Sequence, residues 1–313
     1  MKKSLLAVLF LVFIRIFSQD IPAQNQGLVK DPFFNNQNPQ GQSGKKVQHK
    51  HSDTFGVSPD KYDGNPVFSG NVVFEQQGSV LTANEVVWYQ KENFLKAIGN
   101  VVLTSADGSR ITAAEMEYDG NTQRGIARKN VVLTDPKQTI KTETLYYDKI
   151  PNTAYFNTGG TIYSNDGSVM YTKSATYNLN SKMIDFVGRS NIETDKYTIV
   201  SDNIKQNQNT GVSDFFGPTT IRDKKNPINY VYTEQGSYNS KTGESFLNKN
   251  SRIHNNGKIL TGDKLYFNRN TGFGKGTGNV MLDDPREKRY LKGGYGEIYE
   301  KKDSAMMTEK PYA

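Results

Sequence analysis

From about Val47 onward the chain alternates apolar and polar residues in short runs divided by turn residues, the pattern of half-buried β-strands. One phrase recurs: "GNVVLT" at Gly99–Thr104 and "KNVVLT" at Lys129–Thr134. Aligning the second apolar residue of each copy gives Val73, Val102, Val132, Ile162, Ile192, Ile221, Ile253 and Met281, at steps of 29, 30, 30, 30, 29, 32 and 28 residues. Such a period marks a repeat architecture. A second phrase travels with the first: "LTANEVVW" (Leu81–Trp88), "ITAAEMEY" (Ile111–Tyr118), "IKTETLYY" (Ile140–Tyr147), "MYTKSATY" (Met170–Tyr177) and "LTGDKLYF" (Leu260–Phe267). Its apolar positions change parity midway, which a flat strand cannot do while keeping one face inward. An extra residue that bends the strand restores the face. A bend is therefore expected in every second strand, near Ala83, Ala113, Thr142, Thr172 and Gly262.

Asp107-Gly108, Asp119-Gly120-Asn121, Asn165-Asp166-Gly167 and Asn255-Asn256-Gly257 lie between the phrases. These pairs supply the positive φ of tight hairpins, so consecutive strands are antiparallel. The pattern predicts an all-β fold of about eight repeats of ~30 residues, two strands each, or about sixteen strands. The expected inward positions are Val73, Val102, Val132, Ile162 and Ile192 from the first strands. Leu81, Trp88, Ile111, Tyr118, Ile140, Tyr147, Met170 and Tyr177 join them from the second strands.

The two ends of the sequence change the picture. "MKKSLLAVLFLVFIRIFSQD" has a basic start, an apolar run and a Ser-Gln end, the form of a secretory signal peptide over 1–18. Arg15 ends an apolar run too short for a membrane span. Residues 19–46 are rich in Gln, Asn, Pro and Gly and read as a flexible polar leader, with Phe33 and Phe34 as a small contact point. The repeat domain occupies 47–313, clearest over 47–190 and degenerate over 191–313. The closing stretch "YLKGGYGEIYEKKDSAMMTEKPYA" still reads as β-repeat material where it stops, so that either the array ends on an edge strand for a partner to cover or the sequence is a fragment.

Composition narrows the function. Cysteine is absent, which removes disulfides, thiolate metal sites and cysteine nucleophiles. The formal charge of +7, less Lys2, Lys3 and Arg15, leaves +4 for a processed chain. No basic stripe of the kind nucleic acid requires is visible. His49 and His51 lie two apart without a third ligand, so no metal is expected. No cofactor motif appears, and no recurring carboxylate pair suggests glycan hydrolysis. An outer-membrane barrel conflicts with charges at outward positions, among them Glu85, Lys96, Arg110, Glu115, Lys141 and Lys173.

The phrases "FSGNVVF…LTANEVVWY", "AIGNVVLT…ITAAEMEYD" and "GTGNVMLDD", with the opening "VQHKHSDTF" at Val47, resemble the OstA/LptA-like family of periplasmic lipopolysaccharide-transport proteins. The resemblance covers about Val47 to Glu300 and is strongest in the first three repeats. It implies a V-shaped, folded-over β-jellyroll, non-enzymatic and periplasmic. Its apolar groove would shelter lipid A acyl chains, and its edge strands would bind other transport components or further copies head to tail. This array holds more repeats than a single-domain bridge protein of that family. The alternative from another class is a structural or adhesive secreted β-repeat protein with a packed interior.

Overall fold

The structure is a computed structural model that describes residues 28–35 and 46–313. The signal peptide expected over 1–18 lies outside the described residues, as do 19–27 and 36–45 of the leader.

Each long strand turns back beside the next. Pro66–Gln76, Ser79–Tyr89, Phe94–Thr104, Arg110–Asp119, Arg124–Thr134 and Gln138–Asp148 pair antiparallel in sequence order. Among the described residues, 24 strands form one sheet. The excess over sixteen has two sources. Five long strands break at the bend into two pieces, as in Thr153–Phe156 with Gly160–Ser164 and Glu244–Lys249 with Ser251–Asn255. Gln48–His51, Thr54–Val57 and Ser304–Thr308 add short strands at the ends.

The bend folds the sheet into two facing arms. Its construction corrects one expectation. The bend line does pass Ala83, Ala113, Thr142, Thr172 and Gly262, but the inserted residue belongs to the neighbouring first strands. The register jumps at Ser69/Val72, Ile98/Val101, Arg128/Val131, Val187/Ser190 and Thr277/Val280. Gly70-Asn71, Gly99-Asn100, Lys129-Asn130 and Gly278-Asn279 sit in those jumps, all with positive φ. The glycine and asparagine of the recurring phrase are thus the hinge of the V. Asparagine tolerates this left-handed conformation better than most residues, and glycine without cost in sterics. A Cβ on Gly70 or Gly278 would also lie 2.3 Å from an oxygen of Asp53 or Asp263.

The first arm carries a transverse row of paired apolar residues. It runs Phe74, Leu81, Leu103, Ile111, Leu133, Ile140, Ile162, Met170, Ile192 and Ile199. It continues through Ile221, Val231, Ile253, Leu260, Leu282 and Leu291. Facing it, the second arm pairs Ala97, Met116, Ala127 and Leu145, and further on Phe156, Ala175, Phe186, Ile204 and Phe215. One buried cluster joins both arms from Val47 to Ile221, and a second gathers Leu247, Ile253, Leu260, Leu265 and Val280. Fully burying such a side chain is worth about 1.5–3 kcal/mol, so the facing rows hold the V closed.

Along the bend the lining changes character. Val72, Ala83, Val101, Ala113 and Val131 line it first, and Thr142, Thr172, Ser190, Ser201, Thr219, Thr233 and Ser251 follow, all buried. These hydroxyls bond in pairs: Ser190 to Thr172 at 2.9 Å, Ser201 with Thr219 at 2.7 Å, Thr233 with Ser251 at 2.9 Å. Paired in this way, buried hydroxyls escape the cost of lost hydration.

Part of the leader is docked. Phe34 is buried on the outer face of the second arm against Val87, Tyr89, Phe94 and Ile126, with Leu28 and Phe33 beside it. Lys30 reaches Asp119 at 2.7 Å, and Arg128 reaches Asp31 at 3.3 Å. Residues 28–35 are therefore a strap on the sheet, where the sequence read as a flexible leader.

Candidate functional site

The candidate site is the space between the arms. Leu81, Ile111, Ile140, Ile162, Met170 and Ile192 all lie buried in the first-arm row. Tyr118, Tyr147 and Tyr177 lie buried in the second arm, and Trp88 is half-buried against the same cluster. Val73, Val102 and Val132 stand apart. They are half-buried, and their neighbours Val72, Phe74, Val101, Leu103, Val131 and Leu133 point inward in their place. Alternation explains the difference: in a run of Val-Val between inward residues, only every second side chain can face the arm opposite. Aligning on the later copies, where Ile162 and Ile192 are inward, shifts the earlier copies by one residue.

Three second-strand tyrosines cross the mouth of the V. The Tyr118 hydroxyl donates to Gln76 Oε1 at 2.7 Å. The Tyr147 hydroxyl lies 3.2 Å from Ser105 Oγ and 3.1 Å from Asn152 Oδ1. The Tyr177 hydroxyl donates to Asp135, which also holds Lys182 at 2.8 Å. Each tyrosine reaches 42 residues back to the rim of the other arm. Burial raises all three hydroxyl pKa values; neighbouring charge adds at Tyr118, and the Asp135 hydrogen bond adds at Tyr177. All three therefore stay protonated donors well above neutral pH. The frame of the second phrase shows these tyrosines plainly, but their partners, Gln76 at a strand end and Ser105 and Asp135 just beyond strand ends, carry no periodic signal.

Further along, the mouth positions carry Phe267 and Ile298, which have no hydroxyl to cross with. Glycine fills four inward positions of the last long strands, Gly274, Gly276, Gly293 and Gly296, and Ile298, Val280 and Met307 pack into the room this leaves. Nearer the mouth the interior is hollow. A cavity of about 370 Å³ is walled by Ile253, Leu260, Leu282, Leu291, Ile298 and Ala305. Its rim is polar, with Asn255 to Glu300 at 2.7 Å and Lys258 to Asp303 at 2.6 Å. A second cavity of about 240 Å³ shares Ile253, Asn255 and Glu300 with the first and adds Tyr197, Tyr230, His254, Phe267 and Arg269.

Among the described residues no group of three His, Cys, Asp or Glu is placed to hold a metal. His49 stacks on Phe68 with ring centres 4.3 Å apart, and the register shifts between His49 and His51. Among the same residues no helix is long and apolar enough to cross a membrane.

Residues 44–202 match the family described as OstA-like protein, just over half of the 313-residue chain. The chain belongs to the OstA-like family. The family match ends close to Glu193, where the tyrosine-latched repeats give way to the degenerate ones. Comparison with curated proteins gives no match. Among solved structures, the chain is similar to LptH of Pseudomonas aeruginosa, described as the LptA homologous periplasmic component of the lipopolysaccharide transport device. The identity is 14%, the match covers 45% of this chain and 81% of that one, and the TM-score is 0.22. A mutant of the TCP10 domain of CPAP from Danio rerio matches at 12% identity over 58% of this chain and 98% of that one, with a TM-score of 0.17. At such scores neither likeness carries an argument, and the fold of this OstA-like chain rests on its own strand pairing.

Proposed function

We propose that this OstA-like protein is a non-enzymatic, periplasmic carrier of lipopolysaccharide that shelters lipid A acyl chains between its arms. The observation that supports the reading most is the hollow between Ile253 and Ala305, an apolar space with a polar rim at the end of an unbroken apolar row. Acyl chains need a dry apolar wall, and a saccharide headgroup needs a wet rim; ligand sites that are mostly apolar with a few placed polar groups fit such amphiphiles. The row continues through Ile192, Met170, Ile162, Ile140, Ile111 and Leu81, so chains entering at the hollow end would move along it as the tyrosine crossings part. Edge strands at the two ends of the sheet would join transport partners or another copy head to tail, since unpaired strand edges invite strand addition. The mechanism is passive shielding, with direction supplied by an energy-coupled partner. The alternative, a structural or adhesive β-repeat protein with a packed interior, draws its support from the filled stretch up to Glu193.

The test is co-elution of lipopolysaccharide with the purified, folded protein in size-exclusion chromatography. The carrier reading expects a stoichiometric complex that Leu260→Glu or Leu282→Glu abolishes while circular dichroism stays β. Absence of lipopolysaccharide from the folded wild-type peak would sink it.

A further inference from the structure

Arg269 spans the mouth of the second cavity. Its guanidinium lies 3.4 Å from the ring centre of Tyr197 on the first arm and 5.7 Å from that of Tyr238 on the second. One of its nitrogens, Nη1, donates to the Tyr238 hydroxyl at 3.2 Å. A guanidinium stacked on aromatic faces is held rigidly and keeps its in-plane donors for a planar or tetrahedral oxyanion. Among the described residues no carboxylate lies within ion-pair distance of Arg269. The two carboxylates that line the cavity are engaged elsewhere. Asp223 accepts from the backbone N–H groups of Lys225 at 2.7 Å and Asn226 at 3.0 Å, and Glu300 accepts from Asn255 at 2.7 Å. His254 shares the cavity, 2.9 Å from the Tyr230 hydroxyl. Burial first, then the fields of Arg252 and Arg222, hold its pKa below the usual histidine value; of these causes only the two arginines favour an anion. The apolar cavity adjoins through Ile253.

We propose that Arg269, clamped by Tyr197 and Tyr238, binds the phosphate headgroup of an amphiphile whose chain occupies the adjoining apolar cavity. The assignment rests on the lipid-carrier reading but makes a separate claim about charge. It gives the hollow end a polarity: phosphate at Arg269, chain toward Leu282. A charge-assisted, partly desolvated Arg–phosphate contact is among the stronger polar contacts available to a protein.

The experiment is calorimetric titration of the full chain with dodecyl phosphate, dodecanol and inorganic phosphate, on wild type, Arg269→Gln and Arg269→Lys. The expected result is a loss of about tenfold or more in dodecyl phosphate affinity for R269Q, partial retention for R269K, and unchanged dodecanol affinity. Equal loss for dodecyl phosphate and dodecanol would make Arg269 a structural clamp and overturn the proposal. Unchanged dodecyl phosphate affinity in R269Q would also overturn it. If neither amphiphile binds wild type, the lipid reading fails on its own. Inorganic phosphate then decides the anion claim: binding that R269Q abolishes supports a free-phosphate site, and no binding overturns it.

Discussion

Two stretches of one repeated backbone differ in what lies between their arms. From Pro66 to Glu193 the interior is filled, and Tyr118, Tyr147 and Tyr177 bond across the mouth. From Ser251 to Thr308 the same rows continue, but the mouth positions carry Phe267 and Ile298 and the space between is hollow. The bend is built alike in both, with Gly70-Asn71 at one end and Gly278-Asn279 at the other. The lesson is that one hinge serves both stretches, while Tyr118, Tyr147 and Tyr177 add hydrogen bonds across the mouth that Phe267 and Ile298 cannot make. A repeat protein can in this way grade its interior along its length without changing its fold.

The largest expected effect separates the two interiors directly. Phe156, 1% exposed in the filled stretch, should cost about 3–5 kcal/mol when changed to Ala, because the void has neighbours on all sides. Leu282→Ala, on the wall of a space already hollow, should cost clearly less, about 1–2 kcal/mol by the area it covers. Urea midpoints on the two variants check this, and equal losses would break the comparison.

The hinge is the control. Gly70→Ala and Gly278→Ala place a Cβ against Asp53 and Asp263 at positive φ, and each should cost about 1–3 kcal/mol. Similar losses at both ends would show one hinge serving two interiors. A neutral G278A would mean that the bend also differs.

The latch makes a pH prediction. The unfolded chain loses its tyrosine protons near the ordinary value of 10.0, whereas Tyr118, Tyr147 and Tyr177 keep theirs higher when folded. Above that pH the unfolded state binds fewer protons than the folded one, so stability falls as pH rises toward the folded values. The share of stability that the three tyrosines contribute should be flat from neutral pH to about 9 and decline above 10. Changing the three tyrosines to Phe should flatten the alkaline decline and cost about 1 kcal/mol per lost hydrogen bond at neutral pH. An undiminished decline in the triple variant would place the sensitivity elsewhere.

The smallest effect is at the open rim. Lys258 and Asp303 form an exposed pair across the first cavity, and such pairs contribute little to stability. Lys258→Ala should leave the urea midpoint unchanged and speed the entry of a fluorescent acyl probe in stopped flow. An unchanged entry rate would mean the rim does not gate the cavity.

Much of this was legible in the sequence. The period, the antiparallel pairing and the parity change were all visible, because side-chain alternation and turn chemistry act locally. The misplacement of Val73, Val102 and Val132 has a local cause too: two adjacent valines satisfy an apolar pattern equally well, and only the hinge beside them fixes which one points in. Gly70-Asn71 was visible as part of a phrase but not as the hinge, since αL geometry shows only in three dimensions. The hollow end was hidden because it depends on the room that the facing arms leave between Leu282, Leu291 and Ile298, which no local pattern records. Phe33 and Phe34 stood out as a contact point, but the face that receives Phe34 was hidden: its partners Val87, Phe94 and Ile126 are outward residues that a strand pattern assigns to water.

The most direct test of a graded interior is photocrosslinking in cells. A benzophenone side chain would replace Leu291 in the hollow, Tyr118 in the latch, and exposed Lys141 as the outward control. The expected result is lipopolysaccharide adducts strongest at Leu291, weaker at Tyr118 and absent at Lys141. Adducts at Lys141 equal to those at Leu291, or none at Leu291 in folded protein, would contradict an interior that opens toward its C-terminal end.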